Sequence, residues 1–119
     1  MKHERYDCNL GCPVEATLEV IGGKWKGVIL HHLLGETMRF NELRRLMPDI
    51  TQRMLTKQLR QLEADGLVAR KVYAQVPPKV EYSMTEYGQT LAPIISALRI
   101  WGTHHLEMMS ELGELELAS

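Results

Sequence analysis

The chain has 119 residues, 45% of them hydrophobic and 24% charged, the composition of one globular domain with a real core; a disordered chain and a second independent domain are both excluded. No apolar run approaches the roughly 18 residues of a membrane span, the charged opening Met1-Lys2-His3-Glu4-Arg5 is not followed by a signal-peptide apolar region, and two cysteines are too few for a disulfide scaffold. The expectation is a cytoplasmic protein with free thiols and no membrane contact, and its net charge of −1 hides a segregation: residues 39–82 sum to +4, whereas residues 103–119 sum to −4.

In chain order, Pro13 suits the first position of a helix, and Val14, Leu18 and Ile21 recur at helical spacing up to a break at Gly22-Gly23. Lys24 to Leu34 predicts a second helix with Trp25, Val28, Ile29 and Leu33 on one face and Gly35 as its C-terminal cap. Met38 to Phe40 has room for a very short strand. Asn41 to Met47 predicts a third helix that buries Leu43 and either Leu46 or Met47, and Pro48 stops it because its ring cannot continue the hydrogen-bond ladder.

Thr51 is a favourable N-cap for a fourth helix running to about Asp65-Gly66. Leu55, Leu59 and Leu62 repeat at +4 and +3 and face the core, which leaves Gln52, Arg53, Thr56, Lys57 and Arg60 outside. Leu67 to Tyr73 and Lys79 to Met84 have strand composition and flank the turn-rich Ala74-Gln75-Val76-Pro77-Pro78, so the pair reads as a hairpin. Thr85 is then expected to cap one long last helix in which Tyr87, Leu91, Ile94, Leu98, Trp101, His105, Met108 and Leu112 alternate at +4 and +3.

Helices, a polar-faced helix after a Pro-containing turn and a basic hairpin are the parts of a winged helix-turn-helix. The expected fold is mainly α with a small β-hairpin and a long C-terminal dimerisation helix. Arg, Gln and Thr are the side chains that read guanine, adenine and the thymine methyl in the major groove, so Thr51, Gln52, Arg53, Thr56, Lys57 and Arg60 are candidate DNA-reading residues. Arg39, Arg70, Lys71 and Lys79, on the hairpin or its flank, are candidates for phosphate or minor-groove contact. A last helix from Glu86 to about Leu112 would be roughly 40 Å long at 1.5 Å per residue, more than a domain of this size covers with its own core. A second copy is the expected cover. The candidate interface is Tyr87, Leu91, Ile95, Leu98, Trp101, Leu106 and Met109, with Gly102 permitting close helix approach.

No nucleophile, base and orienter come together in the sequence and no glycine loop suits a phosphate, so neither an enzyme nor a cofactor is expected. His3, Cys8 and Cys12 lack the paired spacing of a structural metal site. In each of the pairs His31-His32 and His104-His105, one ring is expected in the core and the other at the surface. The competing reading is a winged-helix module that binds another protein and no DNA.

The stretch from Cys12 to Lys26, CPVEATLEVIGGKWK, resembles the opening signature of HxlR-type winged helix-turn-helix transcriptional regulators. Arg39 to Leu43, Ile50 to Leu59, Leu62 to Val68, Pro78 to Tyr82 and Leu91 to Ile94 resemble that family's blocks in the same order, over about residues 12 to 102. Several ordered motifs are far more specific than one short pattern. The resemblance implies a homodimer that binds pseudo-palindromic double-stranded promoter DNA, commonly as a repressor though sometimes as an activator. It implies an N-terminal arm with thiols (1–12), the winged domain (13–102) and an acidic helix end and tail (103–119). It also marks Cys12, where redox- or electrophile-sensing members often carry their reactive thiol, with Cys8 as resolving partner or bystander. A thiol directly before a helix start has a physical logic for that role, since a helix N-terminus favours an anion.

Overall fold

Pro and Gly positions divide the chain into its elements. A computed structural model describes residues 11–118, with side-chain surroundings as far as Gly113; His3 and Cys8 lie outside the described residues. The elements are α1 (Pro13–Ile21), α2 (Lys26–Leu33), β1 (Met38–Arg39), α3 (Phe40–Arg45), α4 (Gln52–Ala64), β2 (Val68–Tyr73), β3 (Lys79–Met84), α5 (Glu86–Gln89) and α6 (Ala92–Ala118). The hairpin β2–β3 is joined by β1 into a three-stranded antiparallel sheet of order β1-β3-β2, with Met38 opposite Tyr82 and Arg39 opposite Glu81. The fold is a winged helix, mostly helical with this small sheet and a long C-terminal helix.

The core lies where α2, α4, the sheet and the start of α6 meet. Ile29, Leu30 and Leu33 of α2 pack with Leu43, Leu55, Leu59, Leu62 and Val68, all essentially inaccessible to solvent. Leu55, Leu59 and Leu62 are the leucines whose spacing marks the inner face of α4, so the polar side of that helix is set by the same periodicity. Gly66 follows α4 at φ +77°, a left-handed conformation that costs glycine no Cβ clash, and turns the chain directly into β2.

Two expectations change and one alternative is decided. The second helix begins only at Lys26 and buries Leu30 with Ile29 and Leu33, while Val28 is 41% exposed and Trp25 half-buried. The reason is its central position: α4, α6 and β3 all pack on it, which calls for a wider buried face than one stripe. At the end of α3 it is Met47 that enters the core, and Leu46 stays at the surface. The last helix is not continuous. Thr85 caps only α5, the chain turns at Thr90-Leu91, and α6 starts afresh with Pro93 at its second position. A proline at 93 has no N–H to continue a ladder from Gln89 but fits a new helix start without penalty.

This break drops Leu91 (9% exposed) and Ile95 (3%) into the chain's own core. They are therefore corrected from partner-facing residues to core residues. The expected core and surface partition also fails at His104 and His105, both exposed, because α6 has run past the domain body by that point. His31 is exposed and His32 half-buried; burial, and His31 beside it, push the His32 pKa down.

Thr85 ties the wing to the helices after it. Its Oγ1 accepts the Gly88 N–H at 2.9 Å and donates to the Gly66 carbonyl at 2.6 Å, so one side chain joins α5 to the turn between α4 and β2. Gly88 is buried against this joint, and a Cβ there would run into the Leu67 carbonyl and crowd Met84. Gly88→Ala is expected to destabilise the fold by about 1 to 3 kcal/mol, as overpacking against backbone does, and thermal denaturation checks it. An unchanged melting temperature would mean that α5 shifts freely.

Candidate nucleic-acid interface

α4 opens with Thr51, whose Oγ1 accepts the Met54 N–H at 3.1 Å. The hydroxyl expected to read bases is thus also the helix cap, which fixes where the helix starts and which residues its first two turns display. Gln52, Arg53, Lys57 and Arg60 are exposed along the outer face, while Thr56 is half-buried and its hydroxyl donates to the Gln52 carbonyl at 2.9 Å. Gln52, Arg53, Thr56, Lys57 and Arg60, with Gln61, line one shallow open concavity. Among the described residues no carboxylate lies within ion-pair distance of Arg53, Lys57 or Arg60, so three cationic groups on this face are uncommitted.

The wing places its cations on two different faces. Side chains alternate along a strand, so Arg70, opposite Tyr82, lies on the face turned to α4, where it shares a cleft with Phe40, Gln52, Thr56, Arg60 and Glu63. Lys71, Tyr73, Lys79, Glu81 and Arg39 share the other face, with Lys71 and Arg39 on either side of Glu81 and Tyr73 opposite Lys79. Sequence reading grouped Arg70 with Lys71 and Lys79; the strand period separates them. Tyr73 donates a hydrogen bond from its hydroxyl to Glu81 Oε1 at 2.8 Å, and Lys79 Nζ lies 3.4 Å from Glu81 Oε2. The ammonium groups of Lys71 and Lys79 stand 4.9 and 4.8 Å from the centre of the Tyr73 ring. The Tyr73 hydrogen bond, with Lys79 and Arg39 nearby, holds the Glu81 carboxyl below its ordinary pKa. Tyr73 and Glu81 escaped the sequence reading, although the signal was present: a Lys-x-Tyr on one strand and a Lys-x-Glu on the next.

Away from this surface, Leu18, Ile21, Gly27, Val28, Ile95 and Leu98 line an apolar groove between α1, α2 and α6. Beyond it α6 exposes Trp101, Leu106, Met108, Met109 and Leu112, with Trp101 stacked on His105 at 5.1 Å. Tyr87 on α5 is 66% exposed and Leu98 51%. Cys12 is half-buried at the N-cap of α1, its thiol free. No helix among the described residues is long and apolar enough to cross a membrane, and no three of their His, Cys, Asp and Glu side chains are grouped to hold a metal ion.

A helix that displays exposed Arg, Lys and Gln, reached through a Pro-containing turn from α3 and flanked by an antiparallel wing, defines a DNA-binding transcriptional regulator of the helix-turn-helix type. The chain belongs to the HxlR-like helix-turn-helix family, whose model matches residues 20–110. It is 57% identical over 108 residues to the Bacillus subtilis (strain 168) HTH-type transcriptional regulator YybR, covering 91% of this chain and 86% of that one. Among solved structures it is similar to the redox regulator HypR. The oxidized form superposes with a TM-score of 0.76 at 63% identity over 78% of this chain and 96% of that one. The reduced form gives a TM-score of 0.79 at 58% identity over 84% and 99%.

Proposed function

We propose that the protein is a homodimeric, sequence-specific regulator, acting as a repressor, that binds pseudo-palindromic double-stranded promoter DNA with one α4 in each of two major grooves. The observation that carries this reading is the outer face of α4, where three cations and Gln52 stand exposed beside the wing and no carboxylate among the described residues lies within ion-pair distance of the cations. The proposed division of labour gives base edges to Gln52, Arg53, Thr56, Lys57 and Arg60. Phosphates fall to Arg39, Arg70, Lys71 and Lys79. Two-fold symmetry then sets half-sites about one helical turn, roughly 34 Å, or a multiple of it apart. Selection of bound duplexes from a random pool, followed by titration across salt, tests the reading. A recovered inverted repeat, with affinity falling steeply as salt rises, is the expected result. Binding to no duplex, or binding indifferent to salt, favours a protein-interaction module instead.

Support for the dimer comes from the apolar groove beside α1 and the exposed apolar side chains of α6, which nothing among the described residues covers. Cys12 is proposed as the thiol through which an oxidant or electrophile alters DNA affinity, because it stands at the N-cap position of α1 and α1 supplies Leu18 and Ile21 to that groove. A change at the start of α1 would thus bear on how two DNA-reading helices are held apart. Similarity to a protein described as a redox regulator supports the same reading. Treatment with diamide or a quinone is expected to reduce operator affinity of the wild type and of Cys8→Ser, and to leave Cys12→Ser unaffected. Equal loss in Cys12→Ser and wild type would remove Cys12 from the role.

A further inference from the structure

The outer face of the wing contains an anion at the place where a DNA-binding surface is otherwise built from cations. In the row Arg39, Glu81, Lys71 across β1, β3 and β2, the carboxylate sits in the middle. Both of its oxygens are engaged, one by the Tyr73 hydroxyl at 2.8 Å and the other by Lys79 Nζ at 3.4 Å. Lys79 also borders a cleft between the start of α3 and β3, lined with Arg39, Asn41, Glu42 and Arg45. Glu42 is already committed there, accepting the Arg39 backbone N–H at 2.8 Å, so Glu81 is the carboxylate that faces the wing's cations. Its side chain is only 23% exposed and that of Lys79 28%, so neither swings freely in solvent.

We propose that Glu81 is a built-in counter-charge of the wing, a residue that does not touch DNA but offsets Lys79, Arg39 and Lys71 and so holds down affinity for DNA of any sequence. The inference rests on the DNA-binding reading above. Phosphate contacts carry no sequence information, and a regulator must find its operator among a large excess of other sites. Reducing the wing's effective charge lowers binding to every duplex alike and leaves discrimination to α4. Tyr73 is the positioning residue: its hydroxyl fixes one carboxylate oxygen, and its ring stands beside the ammonium groups of Lys71 and Lys79, of which Lys79 reaches the other oxygen. Glu81 stays ionised at neutral pH, since its pKa lies below the ordinary carboxylate value, so the offset is permanent.

The experiment measures affinity of the full chain for a random-sequence duplex and for its selected operator across a range of salt. Glu81→Gln keeps the shape and an oxygen to accept the Tyr73 hydroxyl while removing the charge. The expected result is tighter binding to random duplex, by about threefold for each wing on the DNA. The plot of log affinity against log salt should steepen by about 0.9 per wing, the increment for one more neutralised phosphate. Glu81→Asp, which keeps the charge, and Tyr73→Phe, which changes no charge, should retain the wild-type slope. An unchanged slope in Glu81→Gln, or weaker binding to both duplexes together with a lower melting temperature, would overturn the proposal and leave Glu81 as a brace of the hairpin. A wild type whose binding ignores salt overturns the DNA-binding reading itself, an outcome visible before any variant is compared.

Discussion

Arg53→Ala is expected to cost about 1 to 3 kcal/mol on the preferred operator, roughly 5- to 150-fold in affinity, and to relax the preference at one base position while random duplex loses much less. Arg53 sits in the first turn of α4, next to the capped start that fixes the helix's angle of entry, and it is exposed with no carboxylate partner among the described residues. Its guanidinium is therefore available for two parallel hydrogen bonds to a guanine edge, and its removal leaves those acceptors unpaired in a groove largely cleared of water. Lys79→Ala should behave differently. It lies on a strand of the wing beside Glu81, so its loss should weaken every sequence together and leave the carboxylate less compensated. Titrating both variants against operator and random duplex separates the classes. Equal losses on the two duplexes for both variants would mean that α4 does not read bases through Arg53.

Much of this interface was legible because periodicity reports burial directly. Leu55, Leu59 and Leu62 name the inner side of α4, and the outer side follows with no further information. Thr51 marks the start and Gly66 the end, as capping chemistry requires. What the sequence concealed were features set by three-dimensional neighbours. The +4 and +3 spacing from Tyr87 onward passes smoothly through Pro93, yet a proline outweighs any apolar pattern in deciding where a helix starts. Once α5 and α6 are separate, Leu91 and Ile95 turn inward and Tyr87 outward. The burial of Leu30 rather than Val28 likewise depends on three elements packing around α2, which no one-stripe reading of that helix contains. On the wing, charge counting gave the right sum but mixed two faces, because adjacent Arg70 and Lys71 point to opposite sides of a strand.

Replacing Leu106 and Met109 together by Glu is expected to weaken self-association at least about 100-fold, because unpaired carboxylates would have to be buried wherever two copies meet. α6 has 27 residues, about 40 Å at 1.5 Å per residue, and only its beginning is held by the core through Ile95. The radius of gyration is 17.9 Å, where a compact chain of this length would have roughly 13 to 14 Å, so the helix projects from the body. On the projecting part Trp101 is 68%, Leu106 71%, Met108 57% and Met109 53% exposed, and each apolar side chain left in water forgoes about 1.5 to 3 kcal/mol that burial would supply. Ile95, Leu98, Gly102, Leu106 and Met109 follow one another at +3 and +4, so the proposed partner-facing stripe continues the line on which the core itself ends. Because Leu106 and Met109 are exposed on the projecting part of α6 and lie outside the core, the double variant should remain folded with its wing intact. Sedimentation over a range of concentrations should then show monomer at concentrations where the wild type is expected to dimerise, and operator affinity should fall with it, since a monomer occupies one half-site at a time. A variant that sediments as the wild-type dimer would move the interface from the exposed end of α6 to the groove beside α1 and α2, where Leu18 and Val28 are the exposed apolar residues to change next.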